Sequence, residues 1–317
     1  MAQPRIVFMG TGDIAIPSLV TLLGSGLVAL VTQPDKPVGR KQVLTAPRIK
    51  EFALENNVIV LQPERARDAA FLVELERLEP DIIVVMAYGQ ILSQKLLDIP
   101  KLACINLHAS LLPKYRGAAC IQAAIDAGDL KTGITVMHVV KALDAGDLIL
   151  KKEMVIGASE TGGVLHDRLA EMAPEALTEA IGLLVSGQAL RMPQDECLLS
   201  YVPKLMRDDG EIDWSLSAEQ LERRIRAYDP WPGTSTSFVE TSGRHQGRRK
   251  RLKIFPQTQV VEQSGKPGEV LLVDDVLVVA CGEAALRIEA LQPDGSRRMS
   301  ADDFLRSRPF SVGDFLG

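Results

Sequence analysis

The sequence predicts an α/β fold, a mostly parallel sheet with helices on both faces, followed by a smaller C-terminal antiparallel β-barrel. Three observations predict it. From Ile6 to about Val140, short β-branched runs alternate with helix-like stretches, the alternation that builds parallel sheets. One run, Ile82-Ile83-Val84-Val85, is apolar without a break, as a strand covered on both faces must be. Beyond residue 206 the pattern changes to short alternating segments separated by Gly, Asp and Pro, which suits antiparallel strands closing on one another.

Element by element, strands are expected at residues 6–9, 27–32, 58–61, 81–87, 104–108 and 133–140, and a helix over 164–187 has the apolar spacing to close the layer. Residues 1–190 form the first domain. A polar stretch opening at Arg191-Met192-Pro193-Gln194 predicts a linker over 191–206, and residues 207–317 form the second domain. There Ser217 stands three residues before Gln220, with Leu221 and Ile225 on one face, so residues 217–228 read as a capped helix. Strands follow at 252–255, 268–273, 276–281 and 286–291.

The 317 residues suffice for two domains, and 46% hydrophobic with 24% charged residues is ordinary globular usage. A net charge of −5 supplies no global positive field, so a nucleic-acid partner would have to be held by local basic segments. The start lacks the apolar core of a signal peptide, and no apolar run approaches the eighteen or so residues that span a bilayer. A cytoplasmic location is expected. Cys104, Cys120, Cys197 and Cys281 are scattered without metal-ligand spacing, so reduced thiols and no metal are expected.

Gly10-Thr11-Gly12-Asp13-Ile14-Ala15 fits the relaxed dinucleotide fingerprint of Rossmann-like sheets, with Asp35 as a ribose ligand. A tight strand-to-helix turn needs small residues on steric grounds alone. Pro34 and Pro37 moreover predict an irregular loop after the second strand. A packing turn is the simpler reading.

The chemistry points elsewhere. If residues 105–108 are extended, Asn106 and His108 share a face with Cα atoms about 6.5 Å apart. A neutral amide donor suits an oxyanion, and an imidazole exchanges a proton near neutral pH. The loop after them would lie at the carboxyl edge of the sheet, where such folds bind ligands. Asp144, in the turn Leu143-Asp144-Ala145-Gly146-Asp147, could return a carboxylate to the same edge and raise the His108 pKa. Each residue has a structural alternative: a satisfied strand histidine, a turn-capping asparagine, a hairpin aspartate.

Together, Asn106-x-His108, Ser110-Leu111-Leu112-Pro113-x-Tyr115-Arg116-Gly117 and Leu143-Asp144-x-Gly146 resemble the signature of the folate-dependent formyltransferases. Residues 5–18, 31–40, the Ala87-Tyr88-Gly89 turn, 212–214 and 230–232 extend the resemblance over nearly the whole chain. The resemblance implies a Rossmann-like first domain, an OB-like second one, and transfer of formyl from 10-formyltetrahydrofolate to the α-amine of methionyl initiator tRNA by a monomer. By the same resemblance Asn106 would donate to the oxyanion, His108 would carry a proton, and Asp144 would bind the water that relays the amine proton. Met86, Ala87, Tyr88, Gly89, Gln90, Ser110, Leu111, Leu112 and Pro113 would form the folate site. Ile14 and Cys120 depart from the family's usual Phe and Pro.

Two basic segments suit a tRNA partner. Residues 33–50 carry Lys36, Arg40, Lys41, Arg48 and Lys50 against Asp35 alone, and residues 244–253 carry Arg244, Arg248, Arg249, Lys250, Arg251 and Lys253 with no acid. In the resembling family the first loop enters the acceptor end with Arg40 foremost; the second segment could grip the acceptor-arm backbone. The alternatives are a formyltransferase for a small amine, a non-catalytic nucleic-acid or dinucleotide-binding protein, and a nicotinamide oxidoreductase.

Overall fold

The computed structural model describes residues 3–39, 41–240, 247–306 and 311–317, and its contacts divide the chain into two units. The first holds the residues up to Cys120 with Lys131–Val155 and His166–Val202; the second holds Ile121–Leu130, Ile156–Leu165 and the residues from Pro203 on.

The strands of the first unit are β1 (Ile6–Gly10), β2 (Leu27–Val31), β3 (Lys36–Val38), β4 (Val43–Thr45), β5 (Val60–Leu61), β6 (Ile82–Met86), β7 (Ala103–His108), β8 (Arg116–Gly117), β9 (Lys131–His138), β10 (Leu148–Val155) and β11 (Tyr201–Val202). Seven of them form one sheet in the order β10-β9-β7-β6-β1-β2-β5. From β5 to β7 all neighbours are parallel, whereas β9 runs antiparallel to both β7 and β10. The chain builds outward from β1 through β2 and β5, then returns to place β6 on the other side. The order therefore reverses between β1 and β6, where Gly10 lies level with Met86, and such a reversal opens a ligand crevice beyond the strand ends.

The helices that begin or lie here are α1 (Ile16–Leu22), α2 (Arg48–Glu55), α3 (Ala69–Arg77), α4 (Gln94–Leu97), α5 (Cys120–Asp126) and α6 (Gly162–Val185). Val7, Met9 and Ile83 pack with Phe71, Leu72 and Leu75 of α3 and Leu96 of α4. Ile6 and Phe8, on the opposite face of β1, are equally sealed from solvent. The unbroken apolar strands thus have both faces covered, as their composition requires.

Three local expectations change. Residues after β2 form a hairpin of β3 and β4, with Pro37 opposite Leu44; a separate two-stranded ribbon tolerates a proline that a central strand would not. The strand β10 was not foreseen, because only its first three residues are buried and the rest alternate as an edge strand does. Part of the expected linker is built into the first unit: β11 pairs in parallel with β8, and Met192 exchanges two backbone hydrogen bonds with Leu148.

In the second unit, α7 (Ala218–Ala227) begins with the expected reciprocal cap between Ser217 and Gln220. The strands are β12 (Thr234–Val239), β13 (Arg249–Ile254), β14 (Thr258–Val261), β15 (Val270–Val273), β16 (Leu277–Ala280), β17 (Ala285–Ile288), β18 (Ala290–Pro293) and β19 (Met299–Ser300), followed by α8 (Ala301–Leu305). They make two antiparallel sheets, β12-β13-β18-β19 and β14-β17-β16-β15. The single strand expected at 286–291 is two strands, because the chain changes sheets at Glu289, whose N–H goes to Gln257 and whose carbonyl accepts from Ala301. Residues near the C-terminus link other edges: Leu316 bridges Phe238 of β12, while Asp314 accepts from Val270 of β15. Leu221, Ile225, Phe238, Leu252, Leu286 and Phe304 share one core, in which Phe238 and Phe304 meet edge to face at 5.8 Å. Among the described residues no helix is long and apolar enough to cross a membrane, and no three His, Cys, Asp or Glu side chains gather as a metal site.

Candidate active site

The ladder from β7 to β9 is regular where it matters: Asn106 lies opposite Met137 and His108 opposite Thr135. Alternation therefore survives, and the amide and the imidazole share one face of the strand. Asn106 is half-buried and His108 is buried. The His108 Nε2 lies 2.9 Å from the Tyr115 carbonyl, which can only accept, so Nε2 carries a hydrogen. The Nδ1 faces the Asp144 Oδ2 at 3.8 Å, a charge contact too long for a direct hydrogen bond.

These surroundings set the charge of the ring. Burial pushes the imidazolium down, but the Cys120 sulfur, the Asp144 carboxylate and the Tyr115 carbonyl outweigh it and raise His108 from 6.5 to about 9. The surroundings therefore favour the protonated ring. Cys120, at the start of α5, is buried beside His108.

Asp144 arrives on the loop between β9 and β10. Its backbone is left-handed, at φ 49°, a conformation aspartate tolerates better than most residues. A Cβ at Gly146 would lie 1.7 Å from the His138 carbonyl oxygen, so only glycine lets the loop return this tightly. The Gly117 N–H donates to Asp144 Oδ2 at 2.9 Å. Ala87 and Tyr115 are left-handed as well, at φ 49° and 61°. Such strain persists only where the surroundings impose it.

Sequence reasoning missed the residues that impose it. The Gln194 Nε2 donates to the carbonyls of Asp144 and Gly146 at 2.8 and 2.9 Å. Its Oε1 accepts from Arg116 Nε and Nη2 at 3.0 and 2.8 Å. The Ser200 hydroxyl accepts the Tyr115 N–H at 2.8 Å, and the Ser200 carbonyl accepts that of Arg116. A polar run after a proline carries no local signal that it folds back, so nothing short of the structure could single them out.

The expected folate residues divide into two kinds. Beyond β6, Ala87 and Gly89 are exposed and left-handed, and Ile91 beside them is 89% exposed. A polar backbone turn next to a bare aliphatic side chain suits a flat ring that is polar at its edge and apolar on its faces. Met86 and Tyr88 are buried, and the Gln90 Oε1 accepts the Ala66 N–H. Ser110, Leu112 and Pro113 are buried too, with Leu111 partly exposed. The Thr135 hydroxyl donates to the Ser110 carbonyl at 2.6 Å and accepts the Leu112 N–H at 3.1 Å. These three shape the loop.

The glycine turn is a packing turn. A Cβ at Gly10 would meet the Phe8 ring at 2.8 Å and the Met86 carbonyl at 3.0 Å, and the N–H groups of Thr11 and Gly12 both point to the Ala87 carbonyl. Those donors are turned inward, away from any pyrophosphate. The Gln62 amide and the Lys50 ammonium hold the Asp35 carboxyl below its usual range, and both of its oxygens already accept hydrogen bonds from these side chains. Ile14, the other departure from the family pattern, is buried in this turn.

The basic segments are only partly free. Lys50 pairs with Asp35 at 2.8 Å and Arg48 with Asp13 at 2.9 Å. Lys36 bonds the Gln33 side chain, and Lys41 is exposed. Arg40 and Arg244 lie outside the described residues. On β13, strand alternation puts Arg249, Arg251 and Lys253 on one face, where Arg249 and Arg251 bond the hydroxyls of Ser237 and Ser235. Lys250 is on the other face, paired with Glu240 at 2.7 Å. Arg248, just before the strand, is exposed.

Known proteins resemble this chain over its whole length. The profile of the family described as Formyl transferase matches residues 5–181, and that of its C-terminal domain matches residues 204–309. A relative called methionyl-tRNA formyltransferase, from Akkermansia muciniphila, is 52% identical, with 96% of this chain and 97% of its own covered. One of the same name from Pseudomonas fluorescens is 46% identical over 100% of this chain and 98% of its own. Among solved structures, HypX from Aquifex aeolicus in complex with tetrahydrofolic acid superposes with a TM-score of 0.60 at 18% identity, over 100% of this chain and 51% of that one; at that identity the likeness speaks for the fold. With a family profile over more than half its length and relatives matched end to end, the chain belongs to the formyl transferase family.

Proposed function

We propose that this protein transfers the formyl group of 10-formyltetrahydrofolate to the α-amine of methionyl initiator tRNA, as a monomer in the cytoplasm. The observation that carries the chemistry is the convergence of His108 and Asp144 at 3.8 Å on the strand face that also bears Asn106. When bound, the folate supplies the formyl carbon and a nitrogen leaving group. The exposed turn of Ala87 and Gly89 would hold its ring edge, with Ser110–Pro113 shaping the opposite wall.

Asn106 donates its amide N–H where the formyl oxygen gathers negative charge. His108 in its protonated form, which Asp144 and the Tyr115 carbonyl favour, adds electrostatic stabilisation and returns a proton to the departing nitrogen. Asp144 accepts the proton that the attacking amine loses, through one water, since its carboxylate is held by Gly117 and needs no direct contact. The bond formed is amine nitrogen to formyl carbon; the bond broken is formyl carbon to folate nitrogen. A single-turnover assay with charged initiator tRNA and formyl donor, both saturating, should yield formylmethionine. Formylation of a small amine in preference to the tRNA in a competition assay would defeat the reading.

The second domain would hold the acceptor arm through the outer face of β13, with Arg248 beside it, and the loop bearing Lys36, Arg40 and Lys41 would reach the acceptor end. Each phosphate contact contributes about one to the slope of log affinity against log salt. Replacing Arg251 and Lys253 by glutamine should therefore reduce that slope by about two. Replacing Lys250, whose charge Glu240 neutralises, should leave it unchanged. Filter binding across a salt series checks both, and an equal effect of Lys250→Gln would remove β13's outer face as the docking surface.

A further inference from the structure

We propose that Gln194 is a positioning residue for the transfer, holding the Asp144 carboxylate in place through the backbone of its loop. Gln194 lies between the two stretches matched to the family profiles, 5–181 and 204–309, in a segment whose composition reads as a connector. Its side chain nevertheless reaches the only two carbonyls that flank Ala145, those of Asp144 and Gly146, at 2.8 and 2.9 Å.

The amide cannot point the other way. Arg116 is 2% exposed, and its guanidinium has donors only, so the Gln194 oxygen must face it and the nitrogen must face the loop. The two carbonyls can only accept, and they demand the same orientation. Both ends of one side chain therefore fix its geometry, and through it the left-handed backbone at Asp144, φ 49°. Released from that anchor, the residue is free to leave a backbone conformation that L side chains rarely adopt. Its carboxylate would then drift from His108 and from the Gly117 N–H.

This inference rests on Asp144 being the proton acceptor, and the test separates the two. In the full-length protein, Gln194→Glu keeps the length of the side chain and the contact to Arg116 but replaces both donations by repulsion. It should lower kcat by about 10- to 100-fold, the scale of an ångström's misplacement, with KM for folate and tRNA within about twofold. In an Asp144→Asn background the same change should have no further effect on kcat, because the group it positions is already gone. Gln194→Met, which adds no charge but drops both the donations and the acceptor facing Arg116, should repeat the loss of kcat and its absence in the Asp144→Asn background.

Four results would overturn the proposal. Unaltered kcat in Gln194→Glu while Asp144→Asn is impaired would show that the loop holds itself. An equal loss in both backgrounds, or loss of cooperative unfolding in both Gln194 variants, would make the residue a general structural one. Full activity of Asp144→Asn would instead sink the role of the carboxylate, and the positioning role with it.

Discussion

Replacing His108 by glutamine is expected to lower kcat by about 10²- to 10⁴-fold while tRNA affinity stays within about threefold. Glutamine can still donate to the Tyr115 carbonyl, so the strand and the loop after it should stand. What disappears is the basic side chain that faces Asp144 across 3.8 Å. The pH profile makes the test specific. In the parent protein, turnover should rise as the substrate amine loses its proton, at or below about pH 8, and fall again as His108 deprotonates near 9. The glutamine variant should lack the alkaline limb.

The same group leaves a mark on stability, with a definite sign. Its folded pKa, about 9, lies above the ordinary 6.5, so the native state binds the proton more tightly. That contribution, on the order of a few kcal/mol, is complete below about pH 6.5 and lost as pH rises through 9. Chemical denaturation at pH 6 and pH 10 should show a larger fall in the parent than in the variant. Equal falls would mean that the ring is neutral in the folded protein.

Replacing Asn106 by alanine should remove about 2.7–4 kcal/mol of transition-state stabilisation, or roughly 10²- to 10³-fold in kcat, the usual loss for one oxyanion donor. The side chain is half-buried on a strand whose pairing is all backbone, so melting should change little. Asn106→Asp is the sharper variant: it keeps the size but turns an N–H donor into a carboxylate facing the developing negative charge, and should be slower than alanine. Steady-state kinetics with each substrate in turn decides it. A rise in KM at constant kcat would reassign Asn106 to ground-state binding.

The first unit was legible because buried parallel strands write themselves as continuous apolar runs, and β1, β2, β6 and β7 all appear within a residue or so of where their β-branched stretches lie. The capped helix α7 was legible for a local reason too, since its Ser217 and Gln220 signal sits within one turn. The edge strand β10 and the change of sheets at Glu289 were not: both depend on which neighbour the chain meets, which no short window contains. The candidate site divides along the same line. Asn106 and His108 follow from strand parity, whereas the approach of Asp144, the family resemblance apart, is closed by Gly146, Gly117 and Gln194 from three separate stretches. A run of basic residues also hides the strand alternation that puts Lys250, paired with Glu240, on the face opposite Arg249 and Arg251.

The pairing of β11 with β8 bears on how members of this family can be recombined. The first unit does not end with α6 at Val185; its architecture runs on to Val202. A chimera that joins this protein's amino-terminal half to a relative's carboxyl-terminal half at the end of that helix would import a foreign strand and a foreign amide beneath its own aspartate loop. Junctions placed after Val202 keep native partners together, and that is where crossovers between homologues should retain turnover.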